Sequence, residues 1–220
     1  MEGIEVLIMK NKAVVLGAIA AIGLTATLAL ARPLRNQPEA PVAQGLPTGG
    51  MHHHMAVTSE FDYLAQMIPH HQEAIATAQI ILARSQRPEM QQFAQTLIKV
   101  QSAEIEQMAA WLNEWYPGQD RSVTYVPMMR DLSPLRGDAL DQAFLQDMIG
   151  HHMGAVMMSQ MLLNHNLVQH PPVQPFAQNI ATSQRQEIHQ MQTWLMAWFG
   201  VPAAFPTRNR PHRGGLHHGS

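Results

Sequence analysis

The sequence has 220 residues and 46% hydrophobic content, enough for one large domain or two small ones and too much for a wholly disordered chain. With 14 Lys+Arg against 16 Asp+Glu the formal net charge is -2, and no basic run is long enough to follow a phosphate backbone, which excludes nucleic acid as a partner. Sixteen Met and 13 His stand against zero Cys, a supply of soft and borderline metal ligands suited to an oxidising compartment, and the missing thiol excludes both a cysteine nucleophile and a blue-copper site.

Lys10 and Lys12 precede an uncharged apolar run from Ala13 to Ala31 that closes on Ala29-Leu30-Ala31. A positive start, an apolar stretch and an A-x-A end make residues 1–31 a signal peptide or, since about 20 apolar residues span a bilayer, an uncleaved membrane anchor. Met9, directly before Lys10, is the expected start of this segment. Either reading sends the remainder to the periplasm or out of the cell, and only the second gives it a membrane to touch. Residues 32–57 have no sustained periodicity and read as a flexible arm. The arm carries Met51-His52-His53-His54-Met55, and an exposed arm has no packing reason to keep three consecutive histidines between methionines. These five residues are expected to capture metal and pass it on.

Residues 58–199 are expected to form a duplicated four-helix metal-binding domain. Thr58 or Ser59 can cap a first helix, along which Phe61, Leu64, Ile68, His71, Ile75, Ala78 and Leu82 recur at the three-and-four spacing of a bundle-facing stripe. A second helix opens at Pro88, carries Phe93, Leu97, Val100, Glu104 and Trp111 on one face, and ends around Tyr116-Pro117-Gly118. The pattern then repeats. Met67-Ile68-Pro69-His70-His71 matches Met148-Ile149-Gly150-His151-His152 at an offset of 81 residues. Phe93-Ala94-Gln95, Glu104-Ile105, Met108, Trp111-Leu112 and Trp115 match Phe176-Ala177-Gln178, Glu187-Ile188, Met191, Trp194-Leu195 and Trp198 at an offset of 83. The two extra residues fall at Pro171-Pro172. Neither hairpin can hide its apolar face alone, so the pair, joined by Gln119 to Asp138, should dock as an all-α, ferritin-like four-helix bundle with a pseudo-two-fold axis between its halves. The four tryptophans, Trp111, Trp115, Trp194 and Trp198, are expected to cap its core. Residues 200–220 form a flexible tail with His212, His217 and His218.

Met67, His70 and His71 lie at i, i+3 and i+4 on one side of a helix. Counting outward from hairpin turns near Gln86 and His170 puts Met108 and Glu104 opposite the first set, and Met191 and Glu187 opposite Met148, His151 and His152. Each hairpin is therefore expected to hold one cluster of two Met, two His and one Glu. Thioethers bind zinc, magnesium or calcium weakly but suit Cu(I), and imidazole suits both Cu(I) and Cu(II), so the mixture selects copper. Glu104 and Glu187 would be costly if buried alone, and are expected to take the free N–H of a ligating histidine. Met153, Met157, Met158 and Met161 serve core filling and metal ligation equally well.

These residues resemble the CopM-like family of exported bacterial copper-binding proteins, through Met67-x-x-His70-His71 with Glu104-Ile105-x-x-Met108-x-x-Trp111 and its second copy. The resemblance spans about residues 59–199. It implies a ferritin-like helical domain, copper binding and copper tolerance, with the paired histidines and the second-helix methionine as ligands. On that basis Ile68-Pro69 keeps a turn before the first histidine pair, and Gly150 replaces that proline in the second copy. The expected function is non-enzymatic sequestration of Cu(I) or Cu(II), with a copper efflux or acceptor protein as the candidate partner. Two other functions share the architecture. A di-iron oxidase would need Glu-x-x-His on two helices, whereas Gln107 and Gln190 follow Glu104 and Glu187, and Glu73 meets Gly154 in the repeat. A metal-free, chaperone-like bundle would use its Met-rich face on apolar partners and tolerate loss of the histidines.

Overall fold

The computed structural model describes residues 56–202, and the Met51–Met55 segment, residues 1–31 and most of the tail lie outside them. Four helices follow one another: α1 (Glu60–Arg84), α2 (Pro88–Trp115), α3 (Gly137–Asn164) and α4 (Val173–Phe199). Ser59 caps α1 in extended conformation, its hydroxyl accepting from the Asp62 amide at 3.0 Å, and Glu60 and Asp62 place negative charge in the positive first turn. Ser59→Ala should therefore lower stability by about 1 kcal/mol in urea unfolding; no change would mean that the cap is redundant. Pro88 opens α2, where a missing N–H costs nothing. Gly200 ends α4 at φ 66°, with its own amide on Met196 O (3.1 Å) and the Val201 amide on Leu195 O (3.2 Å), a left-handed position that any β-carbon would strain.

α1 pairs with α2, α3 with α4, and the two hairpins meet chiefly along α1 and α3. The core divides into two buried clusters, each drawn from all four helices. One gathers the C-terminal half of α1 (Ala74, Ala78, Ile81), the start of α2 (Met90, Ala94, Leu97), the start of α3 (Leu140, Phe144, Leu145, Met148) and the end of α4 (Ile188, Met191, Leu195). The other gathers Leu64 and Met67, Met108 and Leu112, Ala155, Met158 and Leu162, and Val173, Ala177 and Ile180. The start of α1 thus lies against the end of α3, so these two helices run antiparallel and cross near their midpoints. Equivalent residues of the repeat meet at that crossing. The all-α, two-hairpin bundle is the one expected from the repeat, and among the described residues there is no strand. No described helix is long and apolar enough to cross a membrane.

Three local expectations need correction. No turn precedes the histidine pair, because Pro69 stands inside continuous α1. There it removes one rung of the hydrogen-bond ladder, whereas Gly150 leaves the ladder of α3 complete. The buried face of α1 is rotated from the expected stripe, running through Glu60, Tyr63, Leu64, Met67, His70, His71, Ala74, Ala78 and Ile81, with Leu82 left 41% exposed. The reason is that α1 is covered on two sides, by α2 and by α3, and a one-sided stripe misses the second. Finally, the tryptophans are only partly buried and flank the core as stacked pairs, Trp111 on Trp115 and Trp194 on Trp198.

The segment between α2 and α3 is packed rather than loose. Leu132 is fully inside the first cluster, Arg130 grips Asp147 of α3 with Nε and a terminal nitrogen at 2.7 and 2.6 Å, and Arg84 reaches Ser133 O at 3.0 Å. At the two ends of the bundle, repeat-related trios join the hairpins. Fully buried Glu60 bonds His170, which stacks on Trp115 at 4.0 Å. Asp141 lies 3.3 Å from Arg87, whose guanidinium sits 4.8 Å over Trp198.

Candidate metal centre

His70, His71, His151 and His152 are essentially inaccessible to solvent, at 0–1% exposure. α1 and α3 place them at the crossing, midway between the two core clusters. His71 Nε2 lies 2.8 Å from Glu104, and His152 Nε2 lies 2.6 Å from Glu187, so each carboxylate partners the histidine of its own hairpin as the sequence suggests. His70 and His151 instead turn across the axis. Their rings lie against one another with centroids 3.7 Å apart and planes tilted by 33°, and His70 Nε2 bonds the His151 carbonyl at 3.1 Å. The expected cluster of two Met, two His and one Glu in each hairpin is therefore split. His71 and His152 stay with their hairpins, while His70 and His151 form a shared pair between them, because residues i and i+1 of a helix point about 100° apart.

The hydrogen bonds fix which ring nitrogen is free. Carboxylate and carbonyl oxygens only accept, so Nε2 of His70, His71 and His152 carries the proton. His151 Nε2 lies 3.3 Å from Glu73, close enough for attraction but poorly aligned for a hydrogen bond. In all four rings Nδ1 is buried and has no partner. An orphaned ring nitrogen in a dry interior costs free energy unless something occupies it, and a neutral Nδ1 is a metal donor. Burial, and then the neighbouring rings of His151, His71 and His152, push the His70 pKa well below the usual imidazole value. Burial also takes His151 down to about 4, with Glu73 opposing and His152 and His71 adding to the shift. Both rings are thus neutral at pH 7, each keeping one N–H and leaving the lone pair of its other nitrogen available.

Four methionines lie in the two adjoining core clusters. Met67 and Met108 share one core cluster, Met148 and Met191 the other, and all four are fully buried. Met67 and His71, like Met148 and His152, stand one helical turn apart on the same face. Among the described residues no three His, Asp or Glu side chains by themselves form a group able to hold a metal. The uncommitted donor atoms at the crossing are the imidazole Nδ1 atoms, with methionine sulfurs in the adjoining clusters, and such a set in general suits a soft ion of low coordination number. Of the ambiguous methionines, Met158 is buried in the core, Met153 and Met161 are partly covered, and Met157 is 39% exposed.

Glu73 was visible in the sequence only as an unmatched acid. It accepts from the Tyr125 hydroxyl and from the amides of Met128 (2.9 Å) and Met129 (3.0 Å), and faces His151. Burial would raise its pKa, but His151, Tyr125 and the two amides outweigh burial and hold it at about 2. The available signal was its position, three residues after His70 and so on the same side of α1.

Fold and site together define a duplicated four-helix bundle with a dry centre of histidine and methionine between its repeats. The chain belongs to the DUF305 family, a domain of unknown function whose profile matches residues 60–195 and again 141–212. Among solved structures it is similar to CopM in the Cu(I)-bound form, with 31% identity and a TM-score of 0.59 over 64% of this chain and 99% of that one. CopM in an Ag-bound form, obtained by co-crystallization, gives 30% and 0.56 over 64% and 98%. A DUF305 fragment from Deinococcus radiodurans gives 30% and 0.57 over the same shares of 64% and 98%. No curated protein sequence matches.

Proposed function

We propose that this protein is an exported, non-enzymatic copper-binding protein that sequesters Cu(I), and accepts Cu(II) through its histidines, thereby contributing to copper tolerance. The observation that carries the reading is the set of four buried imidazoles, each with an unpartnered Nδ1, flanked by four fully buried methionines. The similar CopM has been seen with Cu(I), Cu(II) and silver. Soft sulfur donors favour Cu(I), and exclusion of water keeps a held ion from redox cycling. Glu104 and Glu187 touch no metal in this scheme. They hold the Nε2 protons, which fixes Nδ1 of His71 and His152 as donor and raises its basicity. The Met51–Met55 arm would collect ions in the periplasm or outside the cell and hand them inward, and an efflux or acceptor protein would receive them.

The test is metal analysis of the purified protein after loading with Cu(I), Cu(II), Zn(II) or Fe(II) and desalting. Copper should be retained in preference to zinc and iron, and the double variant His71→Ala/His152→Ala should lose most of it while keeping its helical circular dichroism. Copper that washes out of the wild type, or stays in full in the folded variant, would remove the bundle from the function.

A further inference from the structure

We propose that Glu73 is a positioning residue that fixes the donor nitrogen of His151 and, together with Tyr125, latches the α2–α3 segment over the axial histidine pair, making that face the entrance for metal. The inference rests on the copper-binding reading for its entrance, but not for the positioning itself.

Four histidines sit at the crossing, and three have their Nε2 protons tied by good acceptors within 3.1 Å. His151 is the exception, and the only carboxylate its own Nε2 faces at 3.3 Å is Glu73. The repeat supplies Glu104 and Glu187 as a matched pair, yet Glu73 is opposed by Gly154 at the 81-residue offset, so this contact has no symmetric copy. The asymmetry answers another. His70 can donate to the backbone carbonyl of His151, while His151 has been given a side chain from α1 instead. At 3.3 Å the charge of the carboxylate, rather than an aligned hydrogen bond, favours the proton on Nε2 and leaves Nδ1 as the lone-pair atom, as in the other three rings.

The same carboxylate holds the covering segment. Its oxygens receive the Tyr125 hydroxyl and the amides of Met128 and Met129. The Tyr125 ring meets His70 edge-on, with centroids 6.4 Å apart. Tyr125 and Glu73 between them thus touch both axial histidines. The remaining sides of the pair are walled by helices joined through the two apolar clusters, which open only with the core. Two surface hollows, one along α4 beside His189 and Met196 and one between α1 and residues 120–124, include none of the four histidines in their walls. Arg130 on Asp147 and buried Leu132 anchor the later part of the segment, whereas the bonds that Tyr125 and Met128 send into the bundle go to Glu73 alone, so this stretch can open locally without breaking the core.

The positioning is read in the metal-free protein by nitrogen-15 NMR of the histidine rings. Wild-type His151 should be the Nε2–H tautomer, and Glu73→Gln should shift it to a mixture with Nδ1–H, leaving His71 and His152 unchanged. A purely structural role would not select one ring in this way. A wild-type His151 protonated on Nδ1, or a tautomer indifferent to Glu73→Gln, overturns the positioning. The latch is read by amide exchange at Met128 and Met129 and by stopped-flow loading with Cu(I) from a competing chelator. Tyr125→Phe, which leaves His151 its carboxylate, should speed both exchange and loading about fivefold, the population change that loss of one ordinary hydrogen bond brings, with the final copper content unchanged. Faster exchange without faster loading would place the entrance elsewhere and overturn the access half of the proposal. Unchanged exchange would overturn the latch. If the wild type binds no copper, the functional reading fails, while the tautomer and exchange results still decide the positioning and the latch.

Discussion

The metal-free protein should lose on the order of 3 kcal/mol of stability between pH 6.5 and pH 4 from His151 alone. The folded pKa of about 4 lies below the ordinary 6.5, so in this window the unfolded chain binds the proton that the folded one refuses, and stability falls as pH falls. His70, driven down by burial and by its ring neighbours, adds to the loss in the same direction. Glu73 works lower. Its folded pKa of about 2 against 4.5 gives a contribution present above pH 4.5 and lost only as pH falls toward 2. Asp141, raised chiefly by its burial, acts in the opposite sense and gains slightly as it protonates. Urea unfolding at half-unit pH steps measures the slope, and His70→Gln/His151→Gln should flatten it. A wild-type profile flat from pH 6.5 to 4.5 would mean that the axial pair accepts protons freely and is not dry. The functional consequence is competition at the same atom, since a proton on Nδ1 and a bound copper ion exclude one another.

Glu60→Ala should be the most damaging single substitution away from the histidines, costing about 3–5 kcal/mol. Its carboxylate is fully buried at the first turn of α1 and receives four donors: Tyr116 Oη at 3.0 Å, His170 Nδ1 at 2.6 Å, and the amides of Gln169 and His170 at 2.6 and 2.9 Å. Truncation strands all four and releases the α3–α4 turn from α1, weakening the contact between hairpins that the axial pair depends on. Asp141→Ala, at the repeat-related position, should cost less. Its partner Arg87 is 3.3 Å away and one of its own oxygens has no partner, so less is lost with it. Denaturant midpoints of the two variants give the comparison directly. A Glu60→Ala protein within about 1 kcal/mol of wild type would show that water replaces the carboxylate at that end.

What the sequence by itself determined was the existence, ends and pairing of the helices, though not the exact buried face of α1. Ser59, Pro88 and Gly200 mark helix ends by their own backbone chemistry, and the 81- and 83-residue offsets fix two hairpins and their docking into one bundle. Counting outward from a short turn puts Glu104 opposite the His70–His71 pair and Glu187 opposite its repeat, because antiparallel helices keep a fixed rise per residue, while the structure decided that His71 and His152 take the carboxylates. Only the tertiary structure decided what happens between hairpins. Periodicity shows that a helix has a buried face but not the register at which that face meets a helix far away in sequence, so the contact of His70 with His151 could not be counted out. Glu73 with Tyr125 and Glu60 with His170 were hidden for the same reason. A single acid carries no periodic signal, and its partners lie in irregular segments whose course is set by the bundle they pack against.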